Sequence, residues 1–176
     1  MSKISNKTID YKLKASDQNR VKQLIDDAAD LQLPSIEKLT DTLKGAGILG
    51  EIDLPVYGQV SSMVFTVNNR ADNPKYAMLS RPGPIDFEVV WTNDTVDSGN
   101  MSVGIQVNKV FMTGFNKKYD PGKIEVGGTT DGSSEFEITY YRKLSNGAET
   151  ILIDKLNGKY AINGVDYMAE SRAALA

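Results

Sequence analysis

The chain has no cysteine and no histidine among its 176 residues. Disulfides are therefore excluded, and so are zinc centres built from thiolate and imidazole ligands. Cysteine nucleophiles and histidine bases are excluded with them. An excess of positive charge is missing too, since 20 basic against 23 acidic residues leave a net charge of -3. Phosphate binding rests on clustered Lys and Arg that displace counterions, so no specific grip on nucleic acid is expected. No apolar run approaches the ~20 residues of a membrane-spanning helix. Residues 1–10 hold no apolar segment of the signal-peptide kind. Synthesis and folding in the cytoplasm are expected on that basis, and the sequons at Asn6, Asn93 and Asn100 read as chance matches.

What is present is an ordinary globular composition, 40% hydrophobic and 24% charged. The length suits one domain with a real core. No internal repeat, low-complexity run or domain boundary is visible, so residues 1–176 read as a single domain. Within it the expected parts are an N-terminal strand and helix over 1–32, a glycine-rich loop over 42–58, a β core over 60–163 and a C-terminal strap over 164–176.

The spacing of Val21, Leu24, Ile25, Ala28 and Ala29 predicts an amphipathic helix over residues 17–30, capped by Ser16 or Asp17 and stopped before Pro34. Most of the remainder alternates with a period of two. Met63, Phe65 and Val67 form one such face, Val103, Ile105 and Val107 a second, and Phe136, Ile138 and Tyr140 a third. Antiparallel strands with one buried and one wetter face are implied. Asn146-Gly147 sits between two alternating runs, and both residues tolerate the positive φ of a type I′ hairpin turn. A two-residue loop pairs Ser145 with Ala148, which places Tyr140 opposite Ile153, Tyr141 opposite Leu152 and Arg142 opposite Ile151. Asn157-Gly158 and Asn163-Gly164 are further turn signals. A short helix is expected near Asn73 to Leu79 with Pro74 in its first turn. Residues 165–175 read as a short helix or strap.

Three constellations invite a chemical reading. Gly45, Gly47 and Gly50 fit G-x-G-x-x-G, but Pro55 and Gly58 forbid the helix on which a pyrophosphate would sit. A flexible glycine loop is the better reading, and Ile48 and Leu49 within it suggest an interface. Asp94, Asp97 and Asn100 lack the spacing of an EF-hand and read as a solvated loop. Glu135 and Glu137 share one strand face, where paired carboxylates can do acid–base work if burial splits their pKa values. Nothing in the sequence buries them. No catalytic, cofactor-binding or metal-binding residue is assigned.

Two blocks carry a family resemblance. The first is Gly-Ala-Gly-Ile-Leu-Gly-Glu-Ile-Asp-Leu-Pro-Val-Tyr-Gly-Gln from Gly45 to Gln59, approached through Leu33-Pro34 and Glu37-Lys38. The second runs Tyr140-Tyr141-Arg142-Lys143-Leu144, Asn146-Gly147, Ile151 to Asn157, Asn163-Gly164-Val165-Asp166-Tyr167 and Arg172-Ala173-Ala174-Leu175. In order and spacing they resemble the major tail tube proteins of contractile-tailed bacteriophages. The N-terminal 32 residues match least.

The resemblance implies a mainly β, antiparallel sandwich or half-barrel. It implies a non-enzymatic structural subunit whose six copies form rings, the rings stacking into a tube inside a contractile sheath. Implied partners are further copies of the chain, the sheath protein, and the tape-measure, baseplate and tail-terminator proteins. The resemblance further implies that DNA crosses the lumen without specific binding and that the protein ends in the virion tail after assembly in the host cytoplasm. Gly45, Ala46, Gly47, Ile48, Leu49, Gly50, Ile52, Leu54 and Pro55 take the contacts between subunits and rings by this analogy. The tube of a contractile bacteriocin or secretion-like particle is the alternative within the same architecture. A monomeric β-sandwich binding module is the alternative outside it.

Overall fold

A computed structural model describes residues 3–16 and 19–176 of the chain. The elements in order begin with β1 (Lys3–Ser16), β2 (Lys22–Ile25), β3 (Ala28–Gln32), β4 (Lys38–Lys44), β5 (Glu51–Val60) and β6 (Val64–Asn69). A one-turn helix α1 (Pro74–Leu79) leads into the long strands β7 (Pro84–Asp97), β8 (Val103–Asp120) and β9 (Gly132–Ser145). The chain closes with β10 (Ala148–Asp154), β11 (Lys159–Ile162), β12 (Val165–Asp166) and α2 (Ala169–Ala174). Every described strand pairing is antiparallel.

One large sheet runs β12-β11-β10-β9-β8-β7-β1-β2 and stays open at both ends. It branches at β9. The first half of β9 pairs with β6, which carries β3 on its other edge, and the second half pairs with β10. The core lies between these layers, where Phe65, Phe87 and Phe136 meet edge to face. Phe87 stands 5.2 Å from Phe65 and 4.7 Å from Phe136 between ring centroids, so one aromatic cluster ties β6, β7 and β9 together. The mainly β, antiparallel class read from the sequence holds.

Several local readings hold with it. Met63, Phe65 and Val67 are fully buried, as are Phe136 and Ile138. Asn73 caps α1 by accepting from the Lys75 N–H at 3.0 Å, and Pro74 takes the first helical position. Asn146 and Gly147 adopt φ of 47° and 82° and pair Ser145 with Ala148.

The helix expected over 17–30 is replaced by β2 and β3. Leu13 of β1 pairs with Ile25, and Leu31 pairs with Val67 of β6. Asp27 between the two strands has φ 66°, which no α-helix accommodates. The apolar residues recur at helical spacing, yet Val21 and Leu24 are exposed, Ile25 is buried and Ala28 packs only partly against the core. Pairing with existing strand edges overrides a short periodic pattern. Ser16 is no cap but lies inside β1, where its hydroxyl accepts from the Asp86 N–H at 2.9 Å. Asp17, the other proposed cap, lies outside the described residues.

One strand register and one strand face also differ from the reading. An irregularity between Glu149 and Ile151 leaves Thr150 unpaired, so Tyr141 meets Ile153, Arg142 meets Leu152 and Lys143 meets Ile151. Each partner is shifted by one from its expected place, as a β-bulge demands. A second irregularity, between β8 and β9, leaves Thr139 extra and reverses the faces beyond it. Tyr141 rather than Tyr140 therefore enters the core, 3% exposed.

Candidate assembly surface

The glycine-punctuated block folds into a hairpin rather than a loop. Among the described residues, strands β4 and β5 pair only with each other, and the glycines form the hairpin's tip, with φ of 91° at Gly47 and 97° at Gly50. That left-handed backbone is why glycine stands there. No helix follows the tip, which removes the dinucleotide reading on geometry. From Glu37 to Tyr57 no side chain is buried, and Ile48 alone is half-buried.

Cross-strand partners share a face, and neighbours along a strand alternate. Leu43 pairs with Ile52 and Asp41 with Leu54, so Leu39, Leu43, Ile52 and Leu54 form one apolar face around Asp41. Each of these four is between 46% and 49% exposed. The opposite face is polar. There the Thr42 hydroxyl donates to Asp53 at 2.7 Å, and Lys44 lies 3.6 Å from Glu51. An isolated two-stranded hairpin is marginal in water unless its apolar face is packed. Among the described residues no other element pairs with the hairpin, and its apolar face stays exposed.

The base of the hairpin is held firmly. The Lys38 ammonium sits 3.6 Å over the Tyr160 ring, beside a cleft of about 300 Å³ lined by Pro55, Tyr57, Ile162 and Tyr167. Gly58 turns with φ 68°, and a Cβ there would collide with the Met168 sulfur of the C-terminal segment. That segment is tied back by Arg172, which donates to Asp166 at 2.5 Å and to the Gly158 carbonyl at 3.0 Å. The Arg172 guanidinium holds the Asp166 carboxyl below its ordinary range. Close by, Glu137 accepts from the Ser62 hydroxyl at 2.6 Å and meets Lys155 at 3.5 Å and Lys117 at 3.6 Å. Burial pushes the Glu137 carboxyl up, but Ser62, Lys155, the Met63 N–H and Lys117 together outweigh it and hold the group below its ordinary value. Lys155 also donates to the Ser61 carbonyl at 2.8 Å, so this carboxylate clamps the hairpin's exit. Its neighbour Glu135 meets Lys118 at 3.6 Å. The pair is structural in its contacts.

Sequence patterning missed a second surface. Beyond the core, Lys3–Asp10 of β1, Thr92–Asp97 of β7 and Val103–Val107 of β8 continue as a three-stranded arm. The alternation of Val103, Ile105 and Val107 is real, but its phase is opposite to the expected one. Val103 is 76% and Ile105 67% exposed, with Ile4 and Val96 in line beside them. The polar side faces inward instead. Asn108 donates to Asn93 at 3.0 Å, and Gln106 donates to Ser145 at 2.7 Å and to Asn108 at 3.2 Å. An amide network thus replaces an apolar core under the arm, and the signal for it was the run of Asn, Gln and Thr on that face. Asp94 accepts from the Lys7 N–H and the Asn6 side chain, while Asp97 and Asn100 cap their own turn. These three side chains do not converge. The Lys7 N–H bond holds the Asp94 carboxyl below its ordinary range.

A mainly β domain that leaves two apolar sheet faces exposed presents surface of the kind that another molecule covers. The phage tail tube protein FII family matches residues 18–175, and the chain belongs to that family. It is a structural protein of the phage tail tube type. It is similar to the tail tube protein of Escherichia phage P2, 27% identical over 151 residues, covering 82% of this chain and 84% of the relative. Its fold is also similar to a chain in the six-fold symmetrised anti-feeding prophage baseplate, with TM-score 0.52, 12% identity, and coverage of 81% and 99%. A chain from the sheath/tube terminator of the extracellular contractile injection system PVC aligns with TM-score 0.48, 9% identity, and coverage of 77% and 94%.

Proposed function

We propose that this chain is the repeating subunit of a hollow tail tube. Six copies close into a ring, rings stack, and a contractile sheath surrounds the stack. DNA passes along the lumen during delivery without specific contacts. The sheath, tape-measure, baseplate and terminator proteins are the other partners, and the tube joins the virion tail after assembly in the host cytoplasm.

The observation that carries this reading is the hairpin of β4 and β5, whose apolar face is exposed and paired with no other element among the described residues. The contacts between subunits and rings run through Gly45, Ala46, Gly47, Ile48, Leu49, Gly50, Ile52, Leu54 and Pro55. Leu49 projects fully from the tip, and Ile52 and Leu54 supply apolar area along the shaft. Sheet edges support the reading as well. Among the described residues no strand pairs with residues 3–12 of β1 on the side away from β7, and open edges invite strands from a neighbour. A heterologous contact that repeats with rotation closes a ring, and an axial offset builds a filament.

Negative-stain microscopy of the purified protein tests the proposal. Rings or hollow tubes are expected for the parent chain. The Ile48→Asp, Leu49→Asp variant should stay a folded monomer. Full-length tubes from that variant would sink the assignment of the hairpin tip.

A further inference from the structure

The hairpin face and the arm face are both uncovered sheet surfaces, and they match in pattern. On the hairpin, Asp41 lies two residues before Leu43 on the same face. On the arm, Lys109 lies two residues after Val107 on the same face, since the pairing of β7 with β8 is regular throughout. The step between such residues is about 6.6 Å in both strands. A β4 laid antiparallel on β8 therefore sets Leu43 on Val107 and Asp41 on Lys109 together. The tip then points toward Ile105 and Val103.

Charge favours the same arrangement. Asp41 is the acid on the hairpin's apolar face and makes no salt bridge among the described residues. Lys109 makes none either, and Lys12 stands across Val90 from it on the same sheet face. Burying either charge alone is strongly unfavourable, whereas pairing them offsets part of the desolvation cost and selects this register over ones that leave a charge unpaired.

We propose that the β4–β5 hairpin of one copy docks, apolar face down, on the outer face of another copy's arm. Its register is fixed by Asp41 against Lys109. This rests on the reading of the chain as a tube subunit and names the surface that receives the hairpin. The contact joins two different patches, so it propagates from copy to copy rather than ending at a dimer.

The natural absence of cysteine makes the contact directly testable. Leu43→Cys protein is mixed with Val107→Cys protein under assembly conditions and treated with a short bis-maleimide. Mixed dimers are expected in excess of either homodimer. Alongside, Asp41→Lys should raise the concentration needed for assembly at least ~10-fold, and adding Lys109→Asp to it should restore assembly to within ~3-fold of the parent. Both positions are exposed, so thermal melts of the unassembled variants should match the parent. Tubes from the parent, with neither mixed cross-links nor rescue, would overturn this contact while leaving the tube reading intact. Cross-linking of Val107→Cys protein to itself at equal yield would also overturn it, because the arms would then meet each other. A parent chain that never associates would overturn the tube reading and this contact together.

Discussion

Replacing Ile52 and Leu54 with Asp separates assembly from folding in a measurable way. Both side chains are 46% exposed and lie on the apolar face of a hairpin that, among the described residues, pairs with no other element. Full burial of such a side chain is worth roughly 1.5–3 kcal/mol. About half of that is still available on association, so each residue contributes on the order of 1 kcal/mol to a subunit contact. Losing both removes about 2 kcal/mol, a factor of roughly 30 in affinity. Two unpaired carboxylates at the interface add a desolvation cost of several kcal/mol, so the combined loss exceeds about 1,000-fold. The monomer loses little, because exposed substitutions of this kind stay within about 0.5 kcal/mol. Sedimentation velocity across a concentration series reads the first quantity, and thermal unfolding of the unassembled protein reads the second. Tubes at the parent's threshold concentration would refute the reasoning. So would a large drop in melting temperature, which would mean that the face belongs to the subunit's own core.

The core carries the opposite expectation. Phe87→Ala removes the 1%-exposed ring that bridges Phe65 and Phe136, at a cost of about 3–5 kcal/mol. For a chain of this size that is a fall in melting temperature of roughly 6–20 °C, and a fall of only a degree or two by calorimetry would contradict the cluster's role. Glu137 gives a pH signature. Its folded pKa lies below the ordinary 4.5, so its stabilising effect is complete above that value and fades as pH falls through the folded pKa. Glu137→Gln should therefore flatten the loss of thermal stability between about pH 5 and about pH 3, and parallel pH profiles for the two proteins would rule the clamp out.

How far the sequence was legible depends on whether the deciding contact was local. The turn at Asn146-Gly147 and the start of α1 at Asn73-Pro74 rest on backbone preferences of the residues themselves, and both are found where expected. The register two residues beyond that turn is not local. It hangs on the extra Thr150, whose hydroxyl donates to the Lys143 carbonyl and whose own carbonyl accepts from the Asn163 N–H of the next turn. The helix expected over 17–30 failed for the same reason, because β1 and β6 offer edges that a short amphipathic pattern cannot announce. At the β4–β5 hairpin, the glycines at 45, 47 and 50 announced irregular left-handed backbone, and they form its tip. They did not reveal that Asp41 and Leu43 pair with Leu54 and Ile52, with Leu39 on the same face, into a shaft with one apolar side.

The arm shows why alternation alone cannot tell inside from outside in a protein of this kind. A monomer hides the apolar half of an alternating strand, and the reading of Val103, Ile105 and Val107 assumed as much. A subunit whose surfaces are completed by its neighbours has two interiors, one closed by its own chain and one closed by others. Its strands then carry apolar residues on whichever face meets the second interior, and polar networks such as Asn93, Asn108, Gln106 and Ser145 can line the first. The discriminating feature is what the polar half does. A solvated polar face needs no internal partners, whereas here the Asn108 side chain is 6% exposed and bonded on both sides. An alternating strand whose polar residues are amides and hydroxyls, able to satisfy one another, is therefore a candidate for inverted burial. One whose polar residues are lysines and glutamates is not, because buried charges of that kind need a partner for each.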